Sequence, residues 1–473
     1  MAHNATNVES RLSNMPGKRA DLNQVWAYLT AGADHIMTGV DISLTDHANL
    51  YTTIYNYCGP KKVGPFIAAG NSRAPNLVGP DLYNKIHDYF PQHIQPIIER
   101  SQTLQDVDLL RYYAGEWDRY VVGASRLDRV FTYLNRYWVK RERDEGKKGV
   151  YPVYTLALAQ WKAHCYLHIQ KDNDRLTNAI VGLINQERNG ELIDQDLIKK
   201  VVNSFVALGV DKLNLNKECL DVYSDEFEAP FLQATENYYT AESEAFLAKN
   251  SVLAYLKKVE ERLREEEARA EHCLHAKTHE NLVKKCEDIL IQARSELIWE
   301  EFQTLLDFGK DEDLQRMCTL LSRVPHGLEP LHEKFEAHVK QVGLTSISKL
   351  VEGGFANVES IDPKAYVDAL FEVHRKNSEI VQGCFGGEVG FAAGLDRACR
   401  GFVNRNAATG SSLARSSEVI AKHVDMLLRE GQAAEEDNSE GALDHIIVLY
   451  NYLEDRDALK RIPGVDRILS RPT

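Results

Sequence analysis

At 473 residues the chain is long enough for about three compact units, each with its own core. Its formal net charge of −14, from 56 Lys and Arg against 70 Asp and Glu, argues against nucleic acid as the default partner. The eight cysteines form no Cys-x-x-Cys pair, no run approaches 18 apolar residues, and the polar start MAHNATNVESRL has no apolar signal core. The sequence thus reads as a soluble chain with reduced thiols, no membrane span and no secretory leader.

Residues 1–20 read as a polar, flexible leader. The first helix is expected at LNQVWAYLTAGADHIM, where Leu22, Val25, Trp26 and Leu29 fall at helical spacing. Thr45 or Asp46 is the expected cap of a second helix, HANLYTTIYNYC. That helix has two faces: Leu50, Ile54 and Tyr57 on one arc, and His47, Ala48, Tyr51 and Tyr55 on the other. Pro60, Pro65, Pro75 and Pro80 then mark a long exposed loop between Gly59 and the next helix. Helices resume at DLYNKIHDYFPQHIQPIIERS and VDLLRYYAGEWDRYVVGASRL and lead into the stretch Leu127 to Lys162.

In that stretch Leu127, Val130, Phe131, Leu134 and Trp138 share one apolar arc, which predicts a buried stripe. Tyr133, Arg136, Tyr137 and Lys140 share a second arc that is aromatic and basic. Periodicity leaves two readings open: a helix sandwiched between neighbours, or one whose outer face docks a partner, since Tyr and Arg dominate interface hot spots. The run RERDEGKKG ends the helix, Gly146 and Gly149 allow a turn, and a new apolar period starts at Val150. This makes five helices before Gly149.

The same rhythm continues from about 150 to 272 and from about 278 to 400, without alternation long enough to build a sheet. The longest helix is expected at ESEAFLAKNSVLAYLKKVEERLREEEARAEH, with its charge run as a solvated face of i,i+4 ion pairs. Three constellations invite a chemical reading. His272, Cys273, His275 and His279 have metal-ligand types, but a helix junction at Lys277–Thr278 would separate them. The glycines at 383–394 lack the strand and the Gly-Lys-Ser/Thr of a phosphate cradle and read as an interhelical loop. Glu260, Glu261, Glu265, Glu266 and Glu267 read as a surface helix rather than paired catalytic carboxylates. No nucleophile elbow, His-Glu-x-x-His, Walker or kinase sequence appears. The chain is expected to be a non-enzyme without metal or cofactor.

The segment YLNRYWVKRERDEGKKGVYPVYTLALAQWK resembles the corresponding stretch of cullins, the scaffolds of multi-subunit ubiquitin ligases. TNAIVGLINQERNGELID, TENYYTAESEAFL, EEFQTLLDFGKDEDLQRM and YVDALFEVHRKNSEIVQGCF follow in cullin order, so the resemblance covers roughly residues 20–458. It is most similar to the class that carries Skp-type adaptors and F-box proteins, the SCF ligases.

The resemblance implies an all-α fold, an elongated stalk of three stacked five-helix bundles. On that pattern residues 21–149 form the first, adaptor-docking repeat, 150–275 the second, 276–400 the third, and 401–473 the start of a C-terminal region. The docking residues it implies are His47, Ala48, Tyr51 and Tyr55 on the second helix and Tyr133, Arg136 and Tyr137 on the fifth. His47 and Ala48 depart from the pattern, because SCF-type cullins usually place larger apolar or aromatic groups there.

The implied partner is a Skp-type adaptor with its F-box protein, in ubiquitin-dependent protein catabolism in cytoplasm and nucleus, with no nucleic acid and no membrane bound. HIIVLYNYLEDRDALKRI resembles the start of the C-terminal region, and Gly464 behind Pro463 is expected to break its helix. The part that holds the RING-box protein is therefore expected to be missing, and that protein is not an expected partner. A helical tethering or trafficking rod unrelated to ubiquitin, and a metal-dependent helical enzyme, are the alternatives.

Overall fold

A computed structural model describes residues 12, 14–59, 79–171, 173–210, 217, 219–352, 361–410, 412, 414–430 and 439–462. Most of the expected leader, the proline-rich loop at 60–78 and the final PGVDRILSRPT lie outside these. Among the described residues the chain is all helix, with no β-strand, and no helix is long and apolar enough to cross a membrane.

The five expected helices before Gly149 are present. They are α1 (Leu22–Met37), α2 (Leu44–Cys58), α3 (Pro80–Ser101) and α4 (Asp106–Val130), then a fifth that runs as α5 (Thr132–Leu134), a π turn (Asn135–Val139) and α6 (Lys140–Asp144). Next come α7 (Val153–Gln160), α8 (Leu167–Gln170), α9 (Arg175–Arg188), α10 (Gln195–Ala207), α11 (Asp221–Tyr223), α12 (Ala229–Leu247) and α13 (Val252–Cys273). Further π turns join α7 to α8 and α11 to α12. The rest are α14 (Ala276–Leu290), α15 (Ser295–Phe308), α16 (Asp311–Leu321), α17 (Glu329–Glu352), α18 (Pro363–Gly383), α19 (Val389–Asn404), α20 (Ala414–Glu430), α21 (Ser439–Tyr452) and α22 (Asp457–Lys460).

The chain divides into two compact units, Met1–Tyr238 with Glu266–Val283, and Tyr239–Glu265 with Lys284–Thr473. The first is centred on Trp161, whose ring lies 4.6 Å from Tyr120, 5.6 Å from Trp117 and 5.8 Å from Tyr113. These rings bury large apolar areas, and the polar tips of Trp161, Tyr113 and Tyr120 are satisfied. Trp161 Nε1 donates to Tyr113 Oη, Tyr113 pairs with Ser204 Oγ, and Tyr120 Oη donates to the Ala157 carbonyl. The second unit is centred on phenylalanines: Phe385 stacks on Phe391 at 4.0 Å, and Phe335 meets both edge-on.

Several local expectations are corrected. The second helix is capped by Ser43, whose Oγ accepts from the Asp46 amide, so the helix starts at Leu44 and includes Thr45 and Asp46. Leu127 and Val130 close α4, and the chain breaks at Phe131 before the fifth helix begins. The long charged helix is two helices: the chain turns at 248–251, and Ser251 Oγ accepts from the Ala254 amide at the start of α13. Its face is not all solvated, because Glu266 is fully buried and Arg269 nearly so.

The helix junction at the histidines lies at Leu274–His275 rather than Lys277–Thr278. The glycine loop is shorter than expected. Only residues 384–388 are non-helical, with Gly386 and Gly387 at positive φ, and Gly390 and Gly394 belong to α19. The run HIIVLYNYLEDRDALKRI already breaks after Tyr452.

Candidate docking surface

The outer faces of α2 and the fifth helix are built by simple amphipathic logic. On α2, Leu50, Ile54 and Tyr57 are buried as the spacing predicts, which turns Ala48, Tyr51 and Tyr55 outward and leaves His47 half-buried. On the fifth helix, Phe131, Leu134 and Trp138 are buried, and Arg136, Tyr137 and Lys140 are exposed. Trp138 is seated against Tyr83 at 4.8 Å. It also lies over Gly79, where an added Cβ would come within 2.4 Å of the Trp138 ring.

The structure brings these two arcs together. Tyr55 meets Tyr133 edge-to-face, with centroids 5.1 Å apart at 84°, and Tyr133 meets Tyr137 at 4.6 Å. Edge-to-face pairs of this kind contribute about 0.5–1.5 kcal/mol beyond area burial. Burial pushes the Tyr133 hydroxyl up, with Tyr137, Tyr55, Cys58 and Tyr51 adding in that order, so it stays a neutral donor. His47 and Ala48 lie in the first two turns of α2, and no ring contact joins them to the array.

Leu44 extends the surface beyond the expected residues. It is 92% exposed at the first position of α2, and with Ala48, Tyr51 and Tyr55 it forms a stripe at spacings of four, three and four. The spacing was available in the sequence. Placing the cap at Thr45 or Asp46 put Leu44 outside the helix.

The other constellations do not assemble. His272 and Cys273 end α13, His275 sits in the junction with its ring 5.5 Å from Tyr223, and His279 lies on α14. Among the described residues no group of three or more His, Cys, Asp or Glu could hold a metal ion. Glu266 is occupied by Arg188 at 2.8 Å and by Arg269.

Among the described residues the chain is an all-α protein of packed helices, with the tyrosines of α2 and the fifth helix gathered on one surface. A model of the cullin family, the cullin alpha solenoid domain, matches residues 26–462. The chain belongs to the cullin family. It is 40% identical to Cullin-1 of Dictyostelium discoideum over 461 residues, 95% of this chain and 59% of the relative. It is 35% identical to Cullin-1 of Schizosaccharomyces pombe over 450 residues, 94% and 58% of the two chains. It is 30% identical to Cell division control protein 53 of Saccharomyces cerevisiae over 478 residues, 93% and 58%. The chain thus spans about three-fifths of the length of these curated relatives.

Proposed function

We propose that this chain is a non-catalytic scaffold of an SCF-like ubiquitin ligase, acting in cytoplasm and nucleus. It binds a Skp-type adaptor, with its F-box protein, through the first repeat, residues 21–149. The observation that carries this reading is the ring array Tyr55–Tyr133–Tyr137, in which Tyr55 and Tyr137 are exposed and Tyr133 half-buried between them, continued by exposed Tyr51 and flanked by Arg136. Rigid aromatic side chains supply interface area at low entropic cost, and an exposed patch of them marks a docking site.

Such a scaffold contributes proximity: it holds the substrate receptor in place and leaves the chemistry to enzymes recruited with it. His47 and Ala48 provide little anchoring volume, so discrimination among adaptors falls to Leu44 and the tyrosines.

The test is calorimetry of the full chain with a purified adaptor–F-box complex. Truncating a central aromatic anchor costs about 2 kcal/mol or more. Tyr51→Ala with Tyr133→Ala is therefore expected to weaken binding by well over tenfold while helical circular dichroism is retained. Unchanged affinity in the folded double variant would rule this surface out.

A further inference from the structure

The fifth helix carries half of the ring array, yet it does not simply continue α4. The chain breaks at Phe131, and a π turn follows at Asn135–Val139, closed by the Lys140 amide on the Asn135 carbonyl. Two polar side chains span the break. Asn135 Nδ2 donates to Asp128 Oδ1 at 2.8 Å, seven residues back along the chain.

The same pair caps another helix. α7 starts after Pro152, which has no side-chain acceptor, so its first amides lack a local partner. Asn135 Oδ1 accepts from the Val153 amide at 3.1 Å, and Asp128 Oδ1 accepts from the Tyr154 amide at 3.0 Å. Asp128 and Asn135 therefore join the end of α4, the start of the π turn and the start of α7. Tyr133 sits two residues before Asn135 and Arg136 one residue after it, so the direction of this short helix sets where both meet α2.

We propose that Asp128 and Asn135 are positioning residues for the docking surface: their hydrogen-bonded pair, anchored on the α7 amides, orients the fifth helix so that Tyr133 and Tyr137 line up with Tyr55. This rests on the docking role proposed above. Neither side chain is itself offered as a contact of the adaptor.

The pair is asymmetric, one carboxylate and one amide, and this gives a swap test. Asn135→Asp places two carboxylates face to face and removes the only donor between them. Adding Asp128→Asn restores a donor from position 128 to position 135 and leaves the acceptor at 135 for the Val153 amide; because Asp128 Oδ1 serves both Asn135 and the Tyr154 amide, the new amide group must turn to keep its oxygen on Tyr154. Asn135→Ser, which removes both bonds without adding charge, covers the case in which Asn135→Asp fails to fold.

In calorimetry of the full chain with a purified Skp-type adaptor–F-box complex, Asn135→Asp and Asn135→Ser are expected to weaken binding at least tenfold. The Asp128→Asn/Asn135→Asp swap should return to within about threefold of the unsubstituted chain, which a residue needed only for packing would not do. Hydrogen exchange without adaptor should show Val153, whose amide donates to Asn135 Oδ1, exchanging faster in Asn135→Ser and recovering in the swap. Unchanged affinity in folded Asn135→Ser, or a swap no tighter than Asn135→Asp, overturns the proposal. If Tyr51→Ala with Tyr133→Ala weakens binding while the Asn135 variants do not, only this inference falls. If the unsubstituted chain binds no adaptor, the docking reading falls and this inference with it.

Discussion

Removing the carboxylate of Glu266 should be among the most damaging single changes in the first compact unit. Glu266 on α13 is fully buried between Arg188 of α9, itself only 2% exposed, and Arg269, at 4%. Arg269 also pairs with Glu187 at 2.6 Å, and Arg188 reaches Thr235 Oγ1 and Asn185 Oδ1. Glu266→Ala would leave Arg269 with the partly exposed Glu187 carboxylate and would take from buried Arg188 its carboxylate at 2.8 Å.

Breaking a buried pair by removing one partner costs about 3–5 kcal/mol, because the remaining charge is uncompensated. The acceptors kept by Arg188 and Arg269 place the expectation at the low end, about 3 kcal/mol. For a unit of about 250 residues, 1 kcal/mol moves the melting midpoint by about 2–4 °C. The loss expected in scanning calorimetry is then about 6–12 °C in the transition that contains this unit. Lys200→Ala is the control: its pair with Asp118 is roughly half exposed on both sides, and such pairs contribute little. A shift below about 2 °C for Glu266→Ala would refute the claim that Glu266 neutralises buried charge.

Two further outcomes test packing and protonation. Gly343→Ala should destabilise the second unit despite the gain of about 1 kcal/mol in helix propensity. The new Cβ would lie 2.4 Å from the Phe402 ring, and overpacking of this kind costs about 1–3 kcal/mol; a stabilised variant in thermal melts would show that α17 and α19 can separate. His93, His338, His374 and His445 all have pKa values lowered below 6.5, chiefly by burial. Between those lowered values and 6.5 the unfolded chain binds more protons than the folded one, so stability is full above that window and falls as pH drops through it. Melting midpoints should therefore decline from pH 7.5 to 5.5, above the carboxylate range; a flat or rising profile would contradict the burial of these rings.

What was legible in the sequence follows from what periodicity can register. The arcs of α2 and the fifth helix are local patterns, and their inner residues Leu50, Ile54, Leu134 and Trp138 are buried where 100° per residue puts them. Family resemblance supplied the solenoid fold and implied a docking role for arcs that periodicity had already marked. The misses are of other kinds. A Glu that is buried between arginines from two helices is written with the same letter as its solvated neighbours, so Glu266 read as surface. The break at Phe131 and the turn at 248–251 interrupt sequences that keep their apolar spacing across the interruption. The caps supplied by Asp128 and Asn135 act across 26 and 18 residues, a separation that no local cap signature reaches. Ser43 was legible in principle, but Thr45 and Asp46 competed for the same role.

The central claim is that an adaptor covers the tyrosine face of α2 and the fifth helix. Hydroxyl-radical footprinting of the full chain, with and without a purified Skp-type adaptor–F-box complex, reads side-chain access directly. Oxidation of Tyr51, Tyr55 and Tyr137 is expected to fall on adding the complex, while Phe308, 74% exposed and far from this face in sequence, is unchanged. Complex formation that leaves those three tyrosines as reactive as in the free chain would contradict that claim.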